Sequence, residues 1–423
     1  MTAESPWWRE LRRFGIKPGL ERTRALLDRL GHPESRLAVV HVGGTNGKGS
    51  TVAMMAAGLA AMGLRVGRYT SPDLGDVQER VTVNGQSLGE AAWDRLAATV
   101  EEAAASMAEP PTRFEALTAL AFLALADVDV AVVEVGLGGR YDATNVVASP
   151  WVTVLTPIAL DHQAVLGSTL DAIAADKCGI FKPGVPVVSA VQAPPVRRRI
   201  IEQAQLVGAP VMWAAGRAVA VERERTVAAV GGVHVETSLA GRHQARNLAV
   251  AWTALEVVAR KLGRDRECAR PGLAAVRWPG RLEWWDGHPA HLLDGAHNLH
   301  GVEALARTLA EPAFAGRWHL VFGALADKPA ARMLRRLLPE VASVTLVRPE
   351  SQRAGDPHAW ATAVPSAWDP RVAAHIPEAL ALARRRAADQ GGDVLVAGSF
   401  DLVGPARRQL AEEAEASGRS GSR

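Results

Sequence analysis

One glycine-rich segment with a single lysine is the stretch of this sequence most suited to chemistry. Residues 41–51 read HVGGTNGKGST, between an apolar run, Leu37–Val42, and an alanine-rich apolar pattern, Thr51–Met62. This order predicts a buried strand, a glycine turn and a helix. Such a turn binds phosphate, because backbone N–H groups and the helix dipole favour an anion at a helix N-terminus. Lys48 adds a positive charge, and the hydroxyl residues after it can reach a phosphate-bound Mg²⁺.

The segment departs from the common phosphate-loop pattern G-x-x-x-x-G-K-[ST] at two places. Val42 stands where the first glycine belongs, and Gly49 follows the lysine instead of a hydroxyl residue. The alternative is an ordinary glycine-rich turn between a strand and a helix. The strand, the lysine, the hydroxyl residues and the helix nevertheless follow one another as they do in a phosphate-binding loop, which favours a phosphate site. The predicted binding residues are Thr45, Asn46, Gly47, Lys48, Gly49 and Ser50.

Three polar side chains at the ends of predicted strands could serve the same phosphate. Ser71 follows a short apolar pattern, Glu134 lies near the end of a hydrophobic strand, and His162 follows the next strand. A carboxylate within a hydrophobic strand is costly unless it is paired or binds a metal. Together the three groups suit Mg²⁺, which keeps several water and phosphate ligands. The spacing leaves open the alternative that Glu134 is a paired core carboxylate and His162 a helix cap.

Alternating strand and helix patterns must position these residues. Buried strands are predicted at Leu37–Val42, Val130–Val135, Trp151–Leu155 and Val185–Ser189, and helices at Leu88–Met107 and Glu115–Ala126. Such alternation is typical of a mostly parallel sheet with helices on both faces. Ligands bind such a sheet at the carboxyl ends of its strands, where the polar residues lie.

A second strand–helix series begins near His291. Its predicted strands are His291–Leu293, His319–Phe322, Val341–Leu346 and Asp393–Ala397, and its helices are Val302–Leu309, Ala330–Leu338 and Pro377–Ala388. Between the two series, residues 211–238 contain short alternating segments, Ala218–Val221 and Val233–Glu236, around Gly231-Gly232, which suggest a hairpin. Trp278–Pro289 is rich in Gly, Pro and Trp and is a plausible linker. The length of 423 residues favours two domains.

Composition excludes several classes of protein. Apolar residues make up 48% of the chain and charged residues 22%, as in soluble globular proteins. The 48 basic and 45 acidic residues nearly cancel, which gives no reason to expect nucleic-acid binding. Cys178 and Cys268 are too few for a disulfide framework and form no C-x-x-C metal motif. Without a signal-peptide pattern or a long uncharged apolar run, we expect a cytoplasmic monomer that binds small molecules and no membrane.

Eight motifs, in order, carry a resemblance to a known family. They are GGTNGKGS in the loop, TSP-x-L-x-x-x-x-ER at 70–80, EVGLGGR-x-DATN at 134–145, LDH-x-x-x-LG-x-T-L-x-x-IA-x-x-K at 160–177, G-x-HQ-x-x-N at 241–247, WPGRLE at 278–283, LDGAHN at 293–298 and VFGALADK at 321–328. Together they resemble the folylpolyglutamate synthases of the Mur ligase superfamily, including the bifunctional dihydrofolate synthase form. The resemblance extends from about Gly19 to Gly404.

The resemblance implies an α/β fold in two parts. The first is a P-loop ATPase-like domain with a mostly parallel sheet, of the Mur ligase central type, over residues 1–284. The second is a smaller, Rossmann-like glutamate-ligase domain over residues 285–423. The implied enzyme is a carbon–nitrogen ligase in which ATP converts a carboxylate of the substrate to an acyl phosphate. The α-amine of L-glutamate then displaces phosphate, and the protein mainly positions the reactants and neutralises charge.

The resemblance also implies a role for individual residues near the phosphates. Ser71, Glu134 and His162 match the family's Mg²⁺ ligands, and two ions are expected beside ATP. Lys177 matches a catalytic lysine that can be carbamylated and then helps to hold the second metal. The alternative is an unmodified Lys177 that binds the acyl phosphate directly, and the sequence does not choose between them.

Four further positions match residues of the family around the nucleotide. Asn247 and Arg281 match positions that contact it, and the charge of Arg281 also suits a catalytic role on phosphate. Asp294 and the catalytic His297 resemble residues that close onto the nucleotide and glutamate side. The alternatives are local, with Asp294 capping a turn and Asn247 capping a helix.

Several questions about the substrate stay open at this stage. Asp73 stands where the TSP segment of the family usually continues with His, which would change local charge and substrate preference. The acceptor is a folate, dihydropteroate or both, and a monofunctional dihydrofolate synthase is one alternative. Cell-wall ligases carry an N-terminal domain for a UDP sugar, and only about 36 residues precede the loop strand here. A P-loop ATPase without ligase function is a further alternative, but it has no need of the LDGAHN motif.

Overall fold

The computed structural model describes residues 5–15 and 17–416 of the chain. These residues form two mostly parallel sheets covered by helices, and one small antiparallel sheet. The predicted α/β class is therefore confirmed. No helix in the described part of the chain is both long enough and apolar enough to span a membrane.

The first sheet contains eight strands in the order β4-β3-β2-β5-β1-β6-β7-β8. The strands are β1 Val39–Gly43, β2 Val66–Tyr69, β3 Val81–Val83, β4 Gln86–Ser87, β5 Val130–Glu134, β6 Val152–Leu155, β7 Val187–Ala190 and β8 Val211–Ala214. The helices are α1 Pro6–Glu10, α2 Glu21–Arg29, α3 Lys48–Ala61, α4 Glu90–Ala105, α5 Arg113–Ala124, α6 Gln163–Leu166, α7 Leu170–Lys177, α8 Pro194–Val207, α9 Arg242–Leu262 and α10 Arg270–Ala275. Only β3 and β4, at one edge, run antiparallel to their neighbours.

Both faces of the first sheet are buried, which is why its central strands read as continuous apolar runs. Along β1, Val40 and Val42 pack into a core shared with α3 and α9, whereas Val39 packs on the opposite face with α5. In the register of the sheet, Val42 of β1 lies beside Glu134 of β5, and Gly43 lies beside Leu155 of β6. The carboxyl ends of these three strands therefore meet at one edge.

The second sheet has the order β12-β13-β17-β14-β15-β16. Its strands are β12 Glu283–Trp285, β13 His291–Asp294, β14 Trp318–Phe322, β15 Ser343–Val347, β16 Arg371–Ala373 and β17 Asp393–Ala397. Its helices are α11 Leu299–Leu309, α12 Ala330–Leu337, α13 Pro357–Ala361, α14 Ile376–Gln390 and α15 Phe400–Ala416. All of its strand pairs are parallel except β12 with β13.

The structure corrects the prediction for the segment Trp278–Pro289. Within this expected linker, Glu283–Trp285 forms β12, because Trp284 packs against Phe314 and Trp318 in the second core. The predicted division between residues 284 and 285 thus passes through a strand of the second sheet.

The expected hairpin in residues 211–238 is part of a larger unit. β9 Gly216–Glu222, β10 Arg225–Val230 and β11 Val233–Thr237 form a three-stranded antiparallel sheet, and Gly231-Gly232 turns between the last two strands. Val211–Ala214 instead joins the edge of the first sheet as β8. Alternation in the sequence identified β9 and β11, but it missed β10, which lies between them and pairs with both.

Candidate active site

Residues 43–50, hereafter the phosphate loop, run from the last residue of β1 into the first turn of α3 and are held in place by close packing. A Cβ on Gly44 would lie 2.0 Å from Thr156 Oγ1, and one on Gly47 would lie 2.3 Å from Asn247 Oδ1, so both positions require glycine. The backbone N–H of Thr45 donates to Pro157 O at 3.0 Å. The helix begins at Lys48, earlier than the predicted Thr51, so the lysine itself belongs to the helix N-terminus.

Lys48 faces the buried carboxylate of Glu134 at the loop. Its Nζ donates to Thr45 O at 3.3 Å and lies 4.0 Å from Glu134 Oε1. The other carboxylate oxygen accepts the backbone N–H of Ser71 at 3.4 Å. Burial raises the pKa of Glu134 despite the opposing effect of Lys48. The protein therefore offsets the negative charge of this carboxylate only weakly. A buried carboxylate of this kind is suited to bind a further cation.

The predicted metal ligands Ser71, Glu134 and His162 line the same cavity as the phosphate loop. Burial lowers the pKa of His162 to about 4, so the imidazole is neutral at pH 7 and has a lone pair to offer. Within residues 5–15 and 17–416, no group of three or more His, Cys, Asp or Glu side chains is arranged to hold a metal. One carboxylate, one imidazole and one hydroxyl fit Mg²⁺ that takes its remaining ligands from phosphate and water, but not a cage of protein ligands.

Lys177, at the end of α7, is buried against the phosphate loop. Its Nζ donates to Gly44 O at 2.9 Å. Burial, aided by the charge of Lys48, lowers the pKa of Lys177 to about 7. A large fraction of this amine is therefore neutral at pH 7, and a neutral amine is nucleophilic.

Three predicted residues line the cavity from the second domain: Arg281 precedes β12, Asp294 ends β13 and His297 follows β13. Asp294, at the end of β13, accepts the N–H groups of Leu282 at 3.1 Å and Ala296 at 2.9 Å. Burial raises the pKa of Asp294 despite the charge of Arg281. The Arg281 guanidinium lies 4.3 Å from the centre of a phenylalanine ring in α15. His297 Nδ1 is 2.9 Å from Gly295 O, and burial lowers the pKa of His297 to about 4.

Asn247 connects α9 to the phosphate loop through a chain of polar contacts. Its Nδ2 donates to Gln244 Oε1 at 2.9 Å, and Gln244 Nε2 donates to Ser50 Oγ at 3.4 Å. Asn247 lies well inside α9 and therefore does not cap this helix. The structure thus excludes the local alternative for Asn247, because the side chain contacts the loop.

All the residues predicted from the sequence line one cavity of about 170 Å³, the phosphate cavity. They are Thr45, Asn46, Gly47, Lys48, Gly49, Ser50, Ser71, Glu134, His162, Lys177, Asn247, Arg281, Asp294 and His297. A larger cavity of about 920 Å³, the acceptor cavity, adjoins it. Ser71, His162 and His297 line both.

Sequence reasoning missed a polar cluster that joins the two sheets beside this cavity. Asp161 accepts Lys328 Nζ at 2.7 Å and Asn298 Nδ2 at 2.8 Å. Asn298 also exchanges hydrogen bonds with Asn46 of the phosphate loop. All of these residues lie within the motifs quoted above, but nothing in a motif tells which of its polar residues meet across the domains.

Two family models match the chain. The Mur ligase middle domain matches residues 42–255, and the Mur ligase glutamate ligase domain matches residues 280–400. The dihydrofolate synthase/folylpolyglutamate synthase of Bacillus subtilis is 40% identical over 346 residues, which are 77% of this chain and 80% of that protein. The chain belongs to the Mur ligases, in the family of folylpolyglutamate and dihydrofolate synthases. The resemblance inferred from the eight motifs is confirmed.

Solved structures share the whole architecture of this Mur ligase. Folylpolyglutamate synthase of Mycobacterium tuberculosis, complexed with ADP, has a TM-score of 0.87 at 34% identity, over 95% of this chain and 96% of that one. An FPGS–AMPPCP–folate complex has a TM-score of 0.82 at 31% identity, over 95% of this chain and 99% of that one. The two-sheet arrangement is thus the fold of the family.

Proposed function

We propose that this Mur ligase uses ATP to join L-glutamate to a folate through an acyl phosphate, with dihydropteroate as a second candidate acceptor. Its membership of the family supports a carbon–nitrogen ligase, and similar proteins are complexed with ADP or with AMPPCP and folate. The observation that carries the proposal is the junction of the two cavities. Ser71, His162 and His297 line both, so a phosphate in one cavity can meet a carboxylate in the other.

The acceptor cavity has the character that a folate requires. Phe114, Leu137 and Tyr141 supply an apolar wall, and Tyr141 is 54% exposed. Arg80 and Arg353 line the same cavity, where Arg80 pairs with Asp73 at 2.7 Å and Arg353 pairs with Asp327 at 2.8 Å. The flat aromatic rings of a folate can pack on the apolar wall. A cavity of about 920 Å³ also has room for more than a nucleotide phosphate.

The phosphate cavity would hold the triphosphate and orient its γ-phosphate toward the junction. Lys48 and the N-terminus of α3 bind the phosphate oxygens. Ser71, Glu134 and His162 would hold Mg²⁺, which when bound neutralises charge on the transferring phosphate. Arg281 supplies a further positive charge on the side of the second sheet.

Lys177 has two candidate roles, and its environment favours carbamylation. A neutral amine can add to carbon dioxide, and its lowered pKa of about 7 makes that form abundant. The carbamate carries a negative charge, which suits a position near Lys48 and a second metal ion. An unmodified ammonium would instead bind the acyl phosphate directly.

His297 is suited to orient the incoming amine at the junction. When Nδ1–H donates to Gly295 O, Nε2 keeps a lone pair that can accept a hydrogen bond from the amino group of glutamate. The amine attacks the acyl carbon, the carbon–oxygen bond to phosphate breaks, and inorganic phosphate leaves with that oxygen. Asp294, at the end of β13, accepts the backbone N–H of Ala296 and so fixes the segment that leads to His297.

Phosphate release with each substrate omitted in turn tests the proposal. We expect release only with ATP, Mg²⁺, L-glutamate and a folate or dihydropteroate all present, and an amide product by mass spectrometry. Parallel reactions with dihydropteroate and tetrahydrofolate identify the acceptor. Phosphate release without glutamate and without amide would instead favour an ATPase of the P-loop class.

We also propose that the enzyme acts in the cytoplasm as a monomer. Cys178 and Cys268 are both free thiols, and Cys268 is exposed. Free exposed thiols are typical of a reducing compartment. Size-exclusion chromatography with light scattering tests the oligomeric state.

A further inference from the structure

Asp161 follows β6 in the first domain, but its carboxylate is bound by two side chains of the second domain. Lys328 Nζ donates to Oδ1 at 2.7 Å, and Asn298 Nδ2 donates to Oδ2 at 2.8 Å. Asp161 is 8% exposed, and the side chain of Lys328 is 5% exposed. The contact therefore excludes water, and its partners come from opposite domains.

The cation that pairs with the Asp161 carboxylate comes from the second domain, because Lys328 Nζ lies 2.7 Å from Oδ1. The carboxylate therefore depends on the second domain for compensation of its charge. A buried charge that loses its partner is strongly destabilising, whereas the same charge in water is not. When the domains separate, Asp161 and Lys328 can each be hydrated. The closed arrangement therefore needs both members of the pair.

The same cluster extends to the phosphate loop. Asn46 Nδ2 donates to Asn298 Oδ1 at 3.3 Å and lies 2.9 Å from His300 Nδ1. Thr45 Oγ1 donates to Ala159 O at 3.2 Å, in the segment that carries Asp161. Closure of the domains thus acts on the nucleotide side of the site as well as on the acceptor side.

We propose that Asp161, Lys328 and Asn298 form an interdomain latch that sets the population of the closed, reactive arrangement. Asp161 is a positioning residue: its Oδ2 lies 3.9 Å from both His162 Nε2 and His297 Nε2, at the junction of the two cavities. The role of the closed state in catalysis rests on the proposed ligase function. The closure itself does not depend on that function.

A domain-separation measurement without substrates tests the latch independently of the ligase assay. Small-angle X-ray scattering on Lys328→Met and Asp161→Asn should show larger radii of gyration than the wild type, with the closed-to-open ratio lowered by about 100-fold or more. Arg242→Met is the matched control, because Arg242 pairs with Glu311 across the same two domains but is 61% exposed. This exposed pair should change the ratio by no more than about fivefold.

Steady-state kinetics distinguish a latch from a direct catalytic role. Because ligands must first close the open form, Lys328→Met should raise the KM for ATP and glutamate together and leave kcat at saturation nearly unchanged. Lys328→Arg keeps the charge and should restore most of the closed population. A scattering profile of Lys328→Met identical to that of the wild type would overturn the proposal. A fall in kcat alone would assign Lys328 to the reacting groups instead.

Discussion

Replacement of Lys177 by methionine should stabilise the protein and abolish ligation. The ammonium is buried, and its pKa of about 7 replaces the ordinary value of 10.5. Keeping this lysine in the folded state therefore costs about 4 kcal/mol at pH 7, since each pKa unit corresponds to about 1.4 kcal/mol. Methionine occupies similar space without charge. The variant loses the hydrogen bond to Gly44 O, worth about 1 kcal/mol, so a net gain of about 2–3 kcal/mol is expected.

The pH dependence of this gain has a definite sign. Between pH 7 and 10.5 the unfolded chain binds more protons at Lys177 than the folded chain does. The stability of the wild type should therefore rise as pH increases through this window, and the advantage of Lys177→Met should shrink. Below pH 7 both states bind the proton, and the full advantage remains.

Urea unfolding at pH 7 and near pH 10, in buffer depleted of carbon dioxide, measures the effect. Lys261→Met is the control, because Lys261 lies at the surface and stacks near Trp151. A variant Lys177→Met that is no more stable than the wild type at pH 7 would refute the role assigned to burial. Ligation at the wild-type rate would refute any catalytic role. Recovery of Lys177→Ala by short-chain carboxylates would support the carbamate.

Three further predictions follow from the site. Glu134→Gln should leave the stability of the ligand-free protein unchanged or higher, because burial disfavours the charged carboxylate. Phosphate release by this variant should nevertheless fall at least about 100-fold. Lower stability in urea would contradict the prediction. Gly47→Ala should weaken ATP binding about tenfold in calorimetry, since the new Cβ would lie 2.3 Å from Asn247 Oδ1, and unchanged affinity would refute the tight packing. Because the pKa values of His162 and His297 are about 4, these residues should add no titration to kcat between pH 6 and 8. As pH falls from 6.5 to 4, the unfolded chain binds more protons at the two histidines than the folded chain does, so the stability of the protein should fall.

The phosphate loop and the strand-end residues could be predicted because their signals are local. Lys48 and its glycines sit in one short segment, and the parallel sheet brings the end of β5 to the same edge as β1. The position of Glu134 then follows from the strand pattern alone. The same reasoning explains why the boundaries of β5 and β17 were close to those observed.

The contacts between the domains could not be predicted in this way. Asp161 and Lys328 are far apart in the sequence, and their pairing depends on how the two sheets face one another. Strand β12 could not be predicted either, because it lies in a Gly-, Pro- and Trp-rich segment. Its Trp284 is fixed by packing on Phe314 and Trp318, which are distant in the sequence. Tertiary packing, not local propensity, decides these features.

Isotope transfer tests the central claim, that ATP activates a carboxylate at the junction of the two cavities. The acceptor carboxylate is labelled with a heavy isotope of oxygen, and the released phosphate is analysed by mass spectrometry. Attack of that carboxylate on the γ-phosphate, followed by displacement by the amine, leaves one labelled oxygen in each phosphate released. Unlabelled phosphate, formed together with amide or without it, would contradict the acyl phosphate.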